Sequence, residues 1–528
     1  MGRMIFMIKK ITRLQIISAA VIVVLLVISG VTSVTLWDDT KLPIEDNADL
    51  SYNEPQNYIS QSDVTSDNVS SETTPSAQNV QPAQNVQPTQ KTEVVKYVRI
   101  TEAARVREGD STSSKQVSQL AKGTEVKYIS ESSERYQVEY ALGKNGWIVK
   151  SCGEVFDKTI VTKLLSEYIS GAPIDMSGTD VGDSLGDILK RRNTVGASIA
   201  VIKNGQVAYH FEYGYADKSK KTKVSENTKF RIASVTKVFT GMMSMRQVDD
   251  GMLDLDKDLS KIMGFKVRNP NYKNVAITQR MLLTHTAGMK DDNPVFEGDI
   301  RTQLAKENHY ASKPGTKFLY TNFGMGIAGA VIEKCSNQTL AEYARDKFFG
   351  PMGLDASFDA KYLSDKSLVA NCYNGSALAK DNKYLTRSQP WGGPGETFHL
   401  GAGGLLISAE DLGSLFTILI NGGKYNGQQY LSEKAVNEML SEQLKTNKFT
   451  QCIAIRKKEK LVGERTMYYH NGEAYGIHSL MAFDPNDKSG VIVITSGASA
   501  VRNDNTVFAV CDEVMNLCYG KIIDKSKG

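Results

Sequence analysis

Phe230-Arg231-Ile232-Ala233-Ser234-Val235-Thr236-Lys237 carries a Ser-x-x-Lys where a helix should begin. Val235, Val238, Phe239, Met242 and Met243 recur at helical spacing, and Gly251 marks the end of the run. Ser234 therefore falls in a first turn, where backbone N–H groups lack partners and the dipole favours negative charge. That place suits a hydroxyl that becomes an alkoxide and then holds an oxyanion. Lys237 lies one turn on, at about 5–6 Å on the same face. As a cation it stabilises the alkoxide; with a lowered pKa it also takes the proton.

Two further groups complete an acyl-transfer reading. Tyr320-Thr321-Asn322 follows the turn Pro314-Gly315-Thr316 and offers a phenol to shuttle protons and an amide to bind the acyl group. His470-Asn471-Gly472 precedes a strand at Ser479 to Asp484. A glycine there lets substrate approach the backbone, and the N–H of Glu473 pairs with that of Ser234 as an oxyanion hole. Ser234, Lys237 and Tyr320 are the candidate catalytic residues. Asn322, His470, Asn471, Gly472 and Glu473 are the candidate substrate ligands. This chemistry requires neither a metal nor an organic cofactor.

The 528 residues suggest several units. A net charge of +4, with no basic run interleaved with aromatics, sets nucleic-acid binding aside. Six cysteines without Cys-x-x-Cys spacing support no zinc knuckle or thioredoxin-like motif. Leu14 to Trp37 is uncharged and apolar, with Arg3, Lys9, Lys10 and Arg13 before it. That pattern predicts a single membrane-crossing helix over 14–37, a cytoplasmic tail over 1–13 and an extracellular remainder. Residues 38–94 are rich in Ser, Thr, Asn, Gln and Pro and contain a repeated Ala-Gln-Asn-Val-Gln-Pro, so a disordered stalk is expected. A Ser66-Asp67-Asn68 in that stretch lies far before the nucleophile and is given no role.

From Val95 to Cys152 short alternating segments appear: Tyr97 to Ile100, Val126 to Ile129 and Tyr136 to Tyr140, with Asn145-Gly146 as a tight turn before Trp147. Ala104-Arg105-Val106-Arg107, Leu120-Ala121-Lys122-Gly123-Thr124 and Gly146-Trp147-Ile148 resemble a bacterial SH3 domain. The resemblance implies a small all-β barrel and peptidoglycan, or another cell-wall polymer, as partner. Residues 153–184 are assigned to a linker, with Phe156 to Arg192 helical and then loop-rich.

The remainder, 185–528, begins with the buried strand Gly196 to Ile202 and ends with strands and a last helix. Strands at both ends with helices between suggest an antiparallel sheet joined by distant parts of the chain. The Ser234 octapeptide, Leu282-Leu283-Thr284-His285-Thr286-Ala287-Gly288-Met289, Tyr320-Thr321-Asn322-Phe323-Gly324 and Ala402-Gly403-Gly404-Leu405 together resemble the serine β-lactamase-related family. The implied architecture is multi-domain: the membrane helix, the SH3-like barrel, and an α/β (α+β) domain whose antiparallel sheet is flanked by helices and a helical subdomain. The resemblance implies Ser234 as the acylated nucleophile, Lys237 and Tyr320 as proton-transfer partners and Asn322 as a substrate ligand. His470 stands where class C β-lactamases have Lys, which is similar to the DD-peptidases, D-aminopeptidases and some esterases of the family. The expectation is a DD-carboxypeptidase-like serine hydrolase acting on cell-wall peptides. An esterase acting on D-alanyl esters of teichoic acid, and a β-lactamase, are the alternatives; a wall-binding protein without catalysis fits least.

Overall fold

Gly196–Lys203 is buried at all eight positions. Ala197, Ile199 and Val201 enter one apolar cluster, Ala200 and Ile202 another. A strand apolar on both faces must lie inside a sheet covered on both sides. The computed structural model describes residues 90–527 apart from 142, 293–298, 388–391, 397 and 504–505. In it this strand turns at Asn204-Gly205, both at positive φ, to pair with Gln206–Asp217. Its other edge pairs with Ser489–Ser496. The sheet continues through Ile477–Asp484 and Arg465–Ala474 to Arg456–Val462, these pairs all antiparallel, while the short strand Ile174–Asp175 pairs parallel with Gln206–Asp217. Counting short edge strands it has ten strands among the described residues.

The helices Asp180–Arg191 and Ala509–Cys518 cover one face, placing Val181, Leu185, Val510 and Val514 against Ile199 and Val201. Ala409–Ile420 and the helical region cover the other. There Thr236–Asp249 is buried on nearly every side, and Phe239 packs against Phe348, Phe349 and Phe358. Each such ring contributes about 1.5–3 kcal/mol by leaving water, which holds the Ser234 helix against the sheet.

Residues 90–163 form a separate seven-stranded antiparallel sheet around Val98, Ile100, Val106, Val138 and Ile148. The SH3-like and β-lactamase-like parts of the expected architecture fit these two sheets. The structure differs at one stretch: Gly153–Lys163 is a strand, whereas a helix was expected from Phe156. It pairs with Gln90–Ile100 from Gln90↔Lys163 to Ile100↔Gly153, so residues 90–94, given to the stalk, are strand as well. Polar residues on both strands hid this pairing, which is made between distant segments.

The expected membrane anchor is corrected. No helix among the described residues is long and apolar enough to cross a membrane. Asn322–Ser336, with 15 residues, rises only about 22 Å against about 30 Å of hydrocarbon. Residues 1–13, 14–37 and 38–89 lie outside the described residues. The single-pass anchor, and the external location argued from it, are therefore not retained. The six cysteines are free thiols, four of them buried.

Candidate active site

A short 3₁₀ turn, Ala233–Val235, leads into Thr236–Asp249 and presents Ser234 at its start. Ala233 has φ 49°, a left-handed conformation that costs a non-glycine residue energy and is held by its surroundings. Those surroundings are the strand Arg465–Ala474 and its neighbour, where Ser479 Oγ donates to Ile232 O at 2.8 Å. Ser479 sits opposite Gly472 in the ladder.

Lys237 is fully buried, and its ammonium uses three donors: to Ser234 Oγ at 2.9 Å, Asn322 Oδ1 at 2.7 Å and Ala402 O at 2.7 Å. A buried cation needs this full set of acceptors. The Tyr320 hydroxyl donates to Ser234 Oγ at 2.9 Å. Ser234 Oγ thus receives hydrogen bonds from a cation and a phenol together, the environment that stabilises an alkoxide. Ser234, Tyr320 and Asn322 are half-buried, at the mouth of this arrangement.

His285 and His470 flank the phenol. The His285 ring lies 4.5 Å from the Tyr320 ring, centroid to centroid, and its Nδ1 accepts from Thr321 N at 3.3 Å. The His470 ring lies 6.5 Å from that of Tyr320. Burial holds both imidazoles well below the usual histidine range, helped by the positive charges of Lys237 and Arg456. Both are neutral at pH 7, so His470 does not replace the charge of a lysine at that position.

The strand Arg465–Ala474 reverses at Tyr475-Gly476, both at positive φ, into Ile477–Asp484. A two-residue hairpin makes Ala474/Ile477 a hydrogen-bonded pair, and alternation makes Glu473/His478 a non-hydrogen-bonded one. The Glu473 N–H therefore turns to the opposite edge of its strand. The Glu473 carboxylate is turned away, to Arg502 at 2.8 Å, so its contribution to the site is backbone. Asn471 accepts from Arg456 Nη1 at 3.2 Å. The ladder with Arg456–Val462 ends at the pair Arg456↔Tyr469, and the strand runs on from His470 past it.

Gly472 has a steric reason. A Cβ there would lie 2.4 Å from Ser479 Oγ, 2.6 Å from Ile232 O and 3.0 Å from Ser234 N. Gly472→Ala is expected to push the Ser234 turn away from the Glu473 N–H. Overpacking costs about 1–3 kcal/mol, and loss of one oxyanion donor about 10²–10³ in kcat. Thermal melting and turnover measured on the same preparation check this; an unchanged kcat contradicts it.

Three contributors were missed from sequence. The carbonyl of Ala402 lies in a motif quoted for its family likeness, but a backbone acceptor leaves no side-chain signature. Arg456 starts a strand fourteen residues before His470 in no motif. Asp291 follows Gly288 by three residues and bonds to the Asn322 turn. Its signal is only a carboxylate in a loop. The separate cluster Asp175, His210 and Glu212 brings its ligand atoms within 4.8 Å of one another, with His210 paired to Glu212 at 2.9 Å; it lies outside the Ser234 site.

The β-lactamase family model matches residues 183–510, and the bacterial SH3 domain model matches residues 102–154. Protein flp of Staphylococcus aureus (strain MW2) is 26% identical over 321 residues, covering 58% of this chain and 61% of that protein. A β-lactamase of Pseudomonas fluorescens is 27% identical over 197 residues, covering 37% of this chain and 54% of that protein. The chain thus spans about three fifths or less of these curated relatives. Among solved structures, the octameric penicillin-binding protein homologue of Pyrococcus abyssi is similar with TM-score 0.52 and 24% identity, over 65% of this chain and 78% of that one. The D-amino acid amidase of Ochrobactrum anthropi SV3 is similar with TM-score 0.52 and 20% identity, over 65% and 99%. These structural likenesses carry the fold alone. With more than half of its length matched and a serine, lysine and tyrosine converging on one hydroxyl, the chain belongs to the β-lactamase family, the β-lactamase-fold serine hydrolases, and carries a bacterial SH3 domain before it.

Proposed function

We propose that this chain is a DD-carboxypeptidase-like hydrolase that removes a terminal D-amino acid from cell-wall peptides. Ser234 Oγ attacks the scissile carbonyl, and an Oγ–C bond forms. The Ser234 proton passes to the Tyr320–Lys237 pair in the form that has already lost one of its own protons to solvent. The Ser234 and Glu473 N–H groups hold the oxyanion. The C–N bond then breaks, the leaving amine takes the proton from the pair, and the acyl group remains on Ser234. Water, deprotonated by the same pair, cleaves the ester to release a carboxylic acid and restore the hydroxyl.

The observation that carries this reading is Arg456. Arg456 is buried, with 6% of the residue exposed. It lies over the Tyr320 ring at 5.5 Å and over Phe449 at 4.5 Å. Its Nε is buried with no hydrogen-bond partner. A buried cation with an unused donor beside the proton-transfer phenol fits a carboxylate on the leaving group, which a C-terminal D-amino acid provides. An ester of teichoic acid places an alcohol there instead. The SH3 domain, on this reading, holds the chain to the peptidoglycan whose stem peptides are its substrates.

The test compares a peptide ending in D-Ala-D-Ala with its C-terminal amide, a p-nitrophenyl ester and nitrocefin. The free acid is expected to exceed the amide in kcat/KM by about 10- to 100-fold, the worth of a charge-assisted hydrogen bond at about 1.5–3 kcal/mol. Arg456→Met should remove that preference. Equal turnover of acid and amide by the parent chain, or faster turnover of ester or nitrocefin than of peptide, contradicts the proposal.

A further inference from the structure

Asp291 lies in the loop after Met289 and belongs to none of the motifs that point to the site. Its carboxylate accepts four hydrogen bonds from one stretch of chain. Oδ1 receives Thr321 Oγ1 at 2.8 Å and Phe323 N at 2.9 Å. Oδ2 receives Asn322 N at 3.0 Å and Asn322 Nδ2 at 2.9 Å. The backbone donors are first-turn N–H groups of Asn322–Ser336, which have no partner within their own helix. An anion there is also favoured by the helix dipole.

The same carboxylate fixes which way the Asn322 amide faces. With Nδ2 donating to Asp291, Oδ1 is the atom turned to Lys237. The flipped amide would set its carbonyl against a carboxylate and its N–H₂ against an ammonium, two repulsive contacts. Tyr320 immediately precedes the clamped residues, and its hydroxyl reaches Ser234 from there.

We propose that Asp291 is a positioning residue for acyl transfer at Ser234: it locks the Tyr320–Asn322 loop and, through the Asn322 amide, sets a negative charge against the Lys237 ammonium. The assignment rests on the acyl-transfer reading given above. Lys237 also faces Tyr320, His285 and His470, and Arg456 acts on the same two imidazoles. Asp291 also faces His309, which has Asp292, Lys290 and Lys306 around it. Of the groups named around Lys237, Asp291 supplies the negative charge. Removing it makes both Lys237 and Tyr320 easier to deprotonate.

The test uses the full chain and a fluorescent penicillin, with the rate of Ser234 labelling measured from about pH 5 to 10 and normalised to active-site titre. Asp291→Asn is expected to label about a hundredfold more slowly, the effect of misplacing a reacting group. The limb of its profile that Lys237 and Tyr320 govern is expected to move about one pH unit lower. Thr321→Val, which loosens the clamp and keeps the charge, should slow labelling without moving the profile. Should Asp291→Asn not fold, Asp291→Glu carries the test: a rate at least about tenfold below the parent's, on the parent's pH profile, supports the assignment, and an unchanged rate overturns it. An Asp291→Asn protein with the parent's rate and profile overturns the assignment while acyl transfer stands. A parent chain never labelled at Ser234 removes acyl transfer and the assignment with it.

Discussion

Ser234→Ala is expected to reduce turnover by about a million-fold, the scale on which removal of a serine nucleophile acts when the rest of its machinery is left in place. The geometry gives the reason. Lys237 and Tyr320 both donate to Ser234 Oγ, at 2.9 Å each. With the oxygen gone, neither has an acyl acceptor to activate. Stability should change little. Ser234 is half-buried, Lys237 keeps its bonds to Asn322 and Ala402, and one lost hydrogen bond is worth about 1 kcal/mol. Release of D-alanine and thermal melting, measured on one preparation, check both parts. Residual turnover above about one part in a hundred would point to another nucleophile, because binding and an oxyanion hole alone leave far less.

Lys237→Met is expected to lower kcat by about 10³- to 10⁴-fold while the protein melts close to the parent. The activity loss combines two roles, proton transfer and electrostatic support of the alkoxide. The stability prediction comes from opposing terms. Burying an ammonium costs several kcal/mol, and methionine removes that cost while filling the same channel with a similar stem. Against this, Ala402 O and Asn322 Oδ1 lose a donor, at about 1–3 kcal/mol each. The terms cancel to within about 2 kcal/mol, which shifts the melting temperature of a domain this large by under about 5 °C. A variant that unfolds would show that Lys237 is held for structure; one that keeps near-parent turnover would remove it from the chemistry.

The nucleophile helix was legible because its evidence is local: apolar positions at helical spacing from Val235 to Met243 and a glycine at the end. The strand Gly196–Lys203 was legible for a similar reason, an apolar run interrupted only by Ser198 before Lys203. The meeting of Ser234 with Tyr320 and with the His470 strand was visible only through family resemblance. No spacing rule brings together residues separated by 86 positions or more. The Gly153–Lys163 strand escaped because Asp157, Lys158 and Thr159 leave no clean alternation, and its order comes from a partner strand about 60 residues earlier. Asp291 and Arg456 escaped for a third reason. Asp291 contacts the Thr321–Phe323 stretch, and Arg456 contacts Asn471, Tyr320 and Phe449; neither residue type is distinctive until those distant segments are in place. The apolar run over 14–37 lies outside the described residues, and no described helix is long and apolar enough to cross a membrane.

The most direct measurement is peptide mapping by mass spectrometry of the parent chain after brief exposure to a penicillin or to a D-Ala-D-Ala-terminated substrate. A covalent adduct on the peptide containing Ser234, absent from Ser234→Ala, is the predicted result. An adduct on another residue, or turnover of substrate with no adduct that Ser234→Ala abolishes, would contradict covalent catalysis by this hydroxyl.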